Sequence, residues 1–402
     1  MLELFLFIGI GIFLGIFSGL APGIHLNTIS FLIVAFAIQG DFNLAVLITA
    51  MSVSHAFIDF IPNILLGASD NESSMLSTLP GHRMFLQGKA LEAVKLSSIG
   101  CLLGVIFALL SSAIFVKFAF QISSLLPSII PFLLLAVLAL MVFSEKGFWK
   151  KLAAFAIMLL SGFLGLQALS FSSVQNSLLA LVTGFFAASS LIWSLKQKTL
   201  FVKQEEGEIE IEKKPALLSG FFGSVAGGLT ALLPSLGPSE AAFMIRKLAG
   251  KISTKAYLVL LGSISSSNMV FSFFMLYFFS KTRTGTAVAL EQIIAISQNQ
   301  FFVLLGIALF TAGIAFFLSG WLARKAVFFL QKINYSMLNA LVLCFLVLFV
   351  VLFAGFFGLL VFATASSIGI LALSSGVKRS QCMAFLMFPT LFFYLTALIN
   401  SF

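Results

Sequence analysis

The polar groups with the widest chemical scope in this chain cluster at two Pro-centred breaks in apolar sequence. The first reads G-L-A-P-G-I-H-L-N-T from Gly19 to Thr28, and the second reads A-L-L-P-S-L-G-P-S-E from Ala231 to Glu240. A shift of 212 positions lays Gly11 on Gly223, Gly15 on Gly227, Pro22 on Pro234 and Phe31 on Phe243. A Pro turn inside hydrocarbon frees backbone groups that lipid cannot satisfy, so it must face protein or a watery cavity. A helix that starts just past the turn presents N–H groups and the positive end of its dipole, which favour an anion. The candidate substrate-binding residues are therefore Pro22, Gly23, His25, Asn27 and Thr28 in the first segment, with Pro234, Ser235, Gly237 and Ser239 in the second. Asn, Thr and Ser at these places either cap the new helix or hydrogen-bond a ligand. Pro and Gly also kink membrane helices for no functional purpose, but interrupted segments repeated in both halves mark a transporter's central site.

Four ionisable side chains lie in apolar surroundings: His25, His55, Asp59 and Glu240. An Asp at mid-membrane costs about 2.5–3.5 kcal/mol on insertion scales, so such residues face a cavity or a partner. His55 and Asp59 are four apart in S-V-S-H-A-F-I-D-F and share a helix face. They form either a pair that locks two helices or a site for a proton or cation. With Glu240 they are the candidate coupling-ion residues, the ion being H+ or Na+. Glu240 is otherwise an ordinary residue beside Arg246, and His25 a neutral imidazole that bonds backbone freed by the turn. The corresponding second-half helix carries S-I-S-S-S-N-M, where Ser266, Ser267 and Asn268 offer polar groups at the same depth. Asn268 joins the substrate candidates; the alternative is interhelical glue. In the loop S-D-N-E-S-S-M-L-S-T-L-P-G-H-R-M-F, His82 and Arg83 either meet an anion or cap the bundle. No H-E-x-x-H motif, hydrolytic Ser–His spacing or Walker A loop is present, so neither an intramembrane enzyme nor an ATPase is expected. Cys101, Cys344 and Cys382 are far apart, with neither metal-ligand spacing nor a disulfide framework. No metal and no cofactor beyond the coupling ion is expected.

The elements that hold these residues must be membrane helices. Hydrophobic residues make up 60% of the chain and charged ones 9%, with mean hydropathy +1.14, whereas soluble domains carry roughly 25% charged residues. Continuous apolar runs such as Phe132 to Phe143 and Leu341 to Phe353 lack the in–out alternation of barrel strands. The fold class expected is an all-α polytopic membrane protein in the cell membrane. Its start, M-L-E-L-F-L-F-I-G-I, has no basic n-region and is expected to stay as a first helix. The formal net charge of +9 reflects basic cytoplasmic loops rather than nucleic-acid binding. Those loops are Arg83 to Lys95, Lys146 to Lys151, Lys196 to Lys214, Arg246 to Lys255, Arg324 to Lys332, and Lys378 with Arg379. Threading spans between them leaves Lys281 with Arg283 on the outer side. The first Pro segment (4–40) then opens outside and the second (216–250) inside, each a re-entrant hairpin or broken helix followed by about five spans, those of the second half near 256–280, 292–322, 336–356, 357–374 and 381–399. The domain organisation expected is two inverted repeats, 1–195 and 215–402, joined by the charged cytoplasmic linker 196–214.

The sequence resembles the TctA family, the large membrane subunits of tripartite tricarboxylate transporters, and their archaeal-type relatives. The resemblance rests on G-L-A-P-G-I-H-L-N-T, on N-I-L-L-G followed by L-P-G-H-R-M-F-L-Q-G-K-A-L-E-A-V, on L-P-S-L-G-P-S-E-A-A, and on the ending G-V-K-R-S-Q-C-M-A-F-L-M-F-P-T-L-F-F-Y. It spans nearly the whole chain. It implies proton- or sodium-driven secondary transport of carboxylates such as citrate, assisted by a small membrane subunit and an extracytoplasmic binding protein. The family's Pro-Gly turn is matched by Pro22 and Gly23. The second turn departs, with Ser235 after Pro234, and A-S-D-N-E-S-S replaces a further Pro-Gly turn. The function expected is a cation-coupled transporter of a small organic anion. The runner-up is a translocase of a polyprenyl phosphate or similar lipid carrier, whose ligand would keep its tail in the bilayer.

Overall fold

A computed structural model describes residues 2–21, 26–35, 39–66, 75–122, 125–170, 176–197, 202–204, 212–233, 237–248, 252–282, 284–330 and 335–399. Among these residues the secondary structure is entirely helical. The first broken segment gives α1 (Leu2–Leu20) and α2 (Leu26–Ala35); α3 (Phe42–Ile58) and α4 (Phe60–Leu66) follow as one bent span. Pro62 causes the bend, since it has no N–H for the Ile58 carbonyl and its ring crowds that oxygen. Then come α5 (Met75–Leu86), α6 (Ala90–Leu110), α7 (Ser112–Ile122), α8 (Leu126–Phe143) and α9 (Phe148–Ser170). Next are α10 (Ser177–Val182), a π-helical turn (Thr183–Ala188) and α11 (Ser189–Gln197). The second broken segment is α12 (Lys213–Leu232) and α13 (Pro238–Leu248). It leads to α14 (Thr254–Phe279), α15 (Gly285–Ile293), α16 (Gln298–Leu330), α17 (Tyr335–Ser374) and α18 (Ala384–Ile399). Ten helices among the described residues are long and apolar enough to cross a membrane. The protein is a multi-pass helical membrane protein, as its composition requires.

Two spans, α3–α4 and α14, are almost wholly enclosed by other helices. Each receives a Pro-broken helix on a seam of glycines. A Cβ on Gly11 would strike the Leu47 carbonyl and Ala50, one on Gly15 would strike Ser54 and the Met51 carbonyl, and one on Gly19 would crowd Ile58. On the other side, Gly223 lies against Ser263 and the Leu260 carbonyl, and Gly227 against Ser267 and the Ile264 carbonyl. Helices in lipid gain no hydrophobic drive from pairing, so close backbone approach at small residues supplies the attraction. The donor glycines differ by 212 and the residues they touch by 213, so one contact geometry recurs in both halves.

Polar contacts join helix ends that lie far apart in the sequence. Lys255 Nζ meets Glu92 at 2.6 Å, and Lys378 Nζ donates to Ser144 Oγ at 2.9 Å; both pairs fall at ends assigned to the cytoplasm. Gly40 N donates to the Ile293 carbonyl at 2.8 Å, and Asn176 Nδ2 to the Phe353 carbonyl at 2.9 Å; both join ends assigned outside. The long α17 reverses at Gly355, whose φ of 69° and ψ of −170° are open essentially to glycine alone. Before the reversal Asn339 meets Ser194; after it Ala365 lies against Gly184 and Gly369 against Phe185 and Ser189. The expected spans 336–356 and 357–374 are thus present as two limbs. The expected span 292–322 instead starts at Gln298, after the separate short helix α15.

The helices form two bundles that both draw on each half of the chain. One core gathers α1 to α7 with α12 and α14 to α16. The other cores lie among α8, α9, α10, α11, α17 and α18. The second broken segment touches the latter, with Leu233, Phe243 and Met244 on the α8/α18 core. Replacing Gly15 or Gly227 with Leu should lower the unfolding temperature of detergent-solubilised protein, because overpacking costs about 1–3 kcal/mol. Gly9→Leu should leave it unchanged, since a Cβ there meets nothing within 4 Å.

Candidate functional site

Both apolar segments break where the prolines stand. Pro22, Gly23, His25, Pro234 and Ser235 themselves lie outside the described residues. The helices that restart after the breaks carry Asn27 and Thr28 in the first turn of α2, and Ser239 and Glu240 in the first turn of α13, with buried Gly237 just before it. Each site residue on these turns is therefore at a helix N-terminus, where backbone donors and dipole favour an anion. The Asn27 carboxamide packs on Gly285 at the start of α15 so closely that no side chain would fit there.

One turn before each proline, a hydroxyl ties the broken helix to its enclosed neighbour. Ser18 Oγ donates to the Gly15 carbonyl at 3.2 Å and lies 2.9 Å from His55 Nδ1. Thr230 Oγ1 is 2.9 Å from the Gly227 carbonyl and 3.0 Å from Asn268 Oδ1. Ser18 and Thr230 differ by 212, His55 and Asn268 by 213, so the two bridges are counterparts. His55 is the fourteenth residue of a 25-residue span that starts at Phe42, and Asn268 the fifteenth of 26 from Thr254. Both bridges thus stand at mid-span. Each proline follows four residues later in the sequence.

Asp59 sits at the bend between α3 and α4 and is buried. Asn63 Nδ2 reaches its Oδ1 at 2.9 Å and its carbonyl at 2.6 Å. Cys101 lies beside it on α6, with Sγ 3.6 Å from the Ala56 carbonyl. His55 thus has a partner in Ser18, and Asp59 has one in Asn63. The structure buries His55 and Asp59 at mid-span and leaves Asn268 half-buried at the corresponding depth of α14. Among the described residues no group of three His, Cys, Asp or Glu could hold a metal ion.

Residues 5–384 match the tripartite tricarboxylate transporter TctA family. The chain belongs to that family. Its resemblance extends to an uncharacterized protein of Methanocaldococcus jannaschii, 33% identical over 97% of this chain and 98% of the other. No solved structure matches. The family is one of transporters, and this TctA chain is a membrane component of transport rather than of catalysis.

Several residues of the site escaped the sequence reading. Ser18 and Thr230 were legible in principle, because the 212-residue shift that pairs the prolines also pairs them. Asn63 and Gly285 carry no such mark. His82, read as an anion contact or a cap, is on helix α5; its Nδ1 lies 2.9 Å from the Ile64 carbonyl and its ring stacks on Phe85. Arg83 beside it is exposed. Burial lowers the His82 pKa below the ordinary histidine value, the bond to Ile64 opposes this, and the charge of Arg379 adds to the lowering. A depressed histidine contributes stability above about pH 6.5 that is lost as pH falls through its lower folded value. His82→Gln should therefore flatten the fall in melting temperature of the purified TctA protein between about pH 7 and 5.

Proposed function

We propose that this TctA chain is a secondary active transporter of a small carboxylate, driven by a proton or sodium gradient. Two hairpins of opposite orientation, in repeats 1–195 and 215–402, would bind the anion between their tips and open it alternately to either side. The observation that carries this reading is the pair of matched mid-span bridges, Ser18–His55 and Thr230–Asn268. Each fixes a helix break near the bilayer centre, where transporters of this design bind substrate. Asn27, Thr28, Ser235 and Ser239, with the freed N–H groups of the turns, would hold the carboxylates. The bridges differ in one respect that suits coupling: the first contains a titratable imidazole beside Asp59, whereas the second contains an amide. Asp59, His55 or Glu240 would then take the coupling ion. A small membrane subunit and an extracytoplasmic binding protein, which serve the family's tripartite systems, would deliver substrate.

The test is uptake of labelled citrate into proteoliposomes under imposed pH or sodium gradients. Asn27→Leu and Ser239→Leu should each cut uptake at least tenfold while the unfolding temperature stays within a few degrees. Uptake at the wild-type rate in both variants would remove these residues from the site. Asp59→Asn should abolish gradient-driven accumulation yet retain citrate exchange; accumulation undiminished in that variant would take Asp59 out of coupling.

A further inference from the structure

The turn that opens the last helix holds an arginine that pairs with no carboxylate among the described residues. Arg379 starts the 3₁₀ turn Arg379–Met383 at the foot of α18 and is only 5% exposed. Its Nη1 donates to the Phe186 carbonyl at 2.9 Å and to Ser190 Oγ. Both acceptors belong to the π-helical turn 183–188 and the residues just after it, and π-turns within α-helices occur often at functional sites. Arg379 Nε has no hydrogen-bond partner, nor has the buried hydroxyl of Ser380 or Oε1 of Gln381. Among the described residues no carboxylate is paired with this guanidinium. A buried cation is rarely kept in a membrane protein without a partner or a task.

The surroundings connect this charge to the transport site. Lys378, the preceding residue, places its ammonium 5.2 Å from the centre of the Phe243 ring on α13. Glu145 accepts the Lys378 backbone N–H at 3.1 Å, and the Lys378 ammonium goes to Ser144. Leu233, immediately before the second proline, and Phe243 and Met244 after it pack on the same core as α8 and α18. Arg379 is also close enough to His82 on α5 for its charge to act on the imidazole. Its guanidinium thus stands where the second hairpin meets the bundle of α8 to α11, α17 and α18.

We propose that Arg379, with the hydroxyl of Ser380, binds one carboxylate of the transported anion beside the second hairpin. The inference rests on the transport reading above. Nε–H and Oγ–H are two spare donors on consecutive residues, a set that suits a carboxylate, and the guanidinium supplies the counter-charge that turn N–H groups lack. This makes Arg379 a determinant of how many carboxylates the substrate carries.

The test uses purified full-length protein, with citrate and acetate as probes in a thermal-stabilisation assay, and citrate uptake in proteoliposomes. Wild-type protein should be stabilised by citrate and far less by acetate. Arg379→Gln should raise the citrate concentration for half-maximal stabilisation at least tenfold, Ser380→Ala about threefold, and both should raise KM for uptake more than they lower the maximal rate. Arg379→Lys keeps the charge without the spare Nε–H and should fall between wild type and Arg379→Gln. If Arg379→Gln does not fold, Ser380→Ala and Arg379→Lys decide the matter alone. Unchanged citrate response in these variants, or a loss of ligand-free stability with citrate affinity intact, overturns the assignment and leaves the arginine as an anchor for α18. Wild-type protein that neither binds nor takes up any carboxylate overturns the transport reading as well, so the two failures are distinct.

Discussion

Lipid offers no partner to a peptide group, and the two broken helices make that constraint acute at mid-membrane. A break there is tolerable only if protein surrounds it. The glycine seams meet this demand. By bringing α1 onto α3 and α12 onto α14 at backbone contact, Gly11, Gly15, Gly223 and Gly227 hold each break against an enclosed span. The hydroxyls of Ser18 and Thr230 then fix the last intact turn before each proline. Larger residues on the seams would push the breaks toward lipid, where their freed groups have nothing to bond.

The two seams share a geometry but not a chemistry. His55 can change charge, and Asn268 cannot. Asp59 has a built-in donor in Asn63, and the corresponding stretch of α14 is continuous helix with no internal proline. The first half therefore has a polar, bent central span and the second a straight one with a row of hydroxyls. A transporter that couples an ion to an anion needs such a difference between otherwise similar halves, because identical halves could not treat two ligands differently.

Much of this was legible in the sequence because membrane helices obey few rules. Length, hydropathy and the side preference of Lys and Arg located nearly every span, and the paired prolines located the breaks. The rest was hidden for identifiable reasons. Ser18 and Thr230 sit among glycines and read as packing. Helix α15 was not foreseen and the next span was begun at 292, since I-A-I-S-Q-N-Q contains neither Pro nor Gly to mark the gap before α16. Arg379 was counted with Lys378 as a cytoplasmic loop marker, and charge pattern alone cannot tell an exposed arginine from one folded under a helix. Only its burial and its bonds to the π-turn separate the two cases.

The bundles also bear on how this chain is made. Glycines of α6 and α14 interlock, with Gly100 against Val259 and Gly262 against Ser97, so an early span waits for one synthesised about 160 residues later. The amino-terminal portion must sit in the bilayer with its small-residue grooves open to acyl chains until the carboxy-terminal portion arrives. Assembly within the membrane thus ends as a zippering of two incomplete sets of helices, and a ribosome stalled in the 198–212 connection would leave behind a polypeptide with no finished interior.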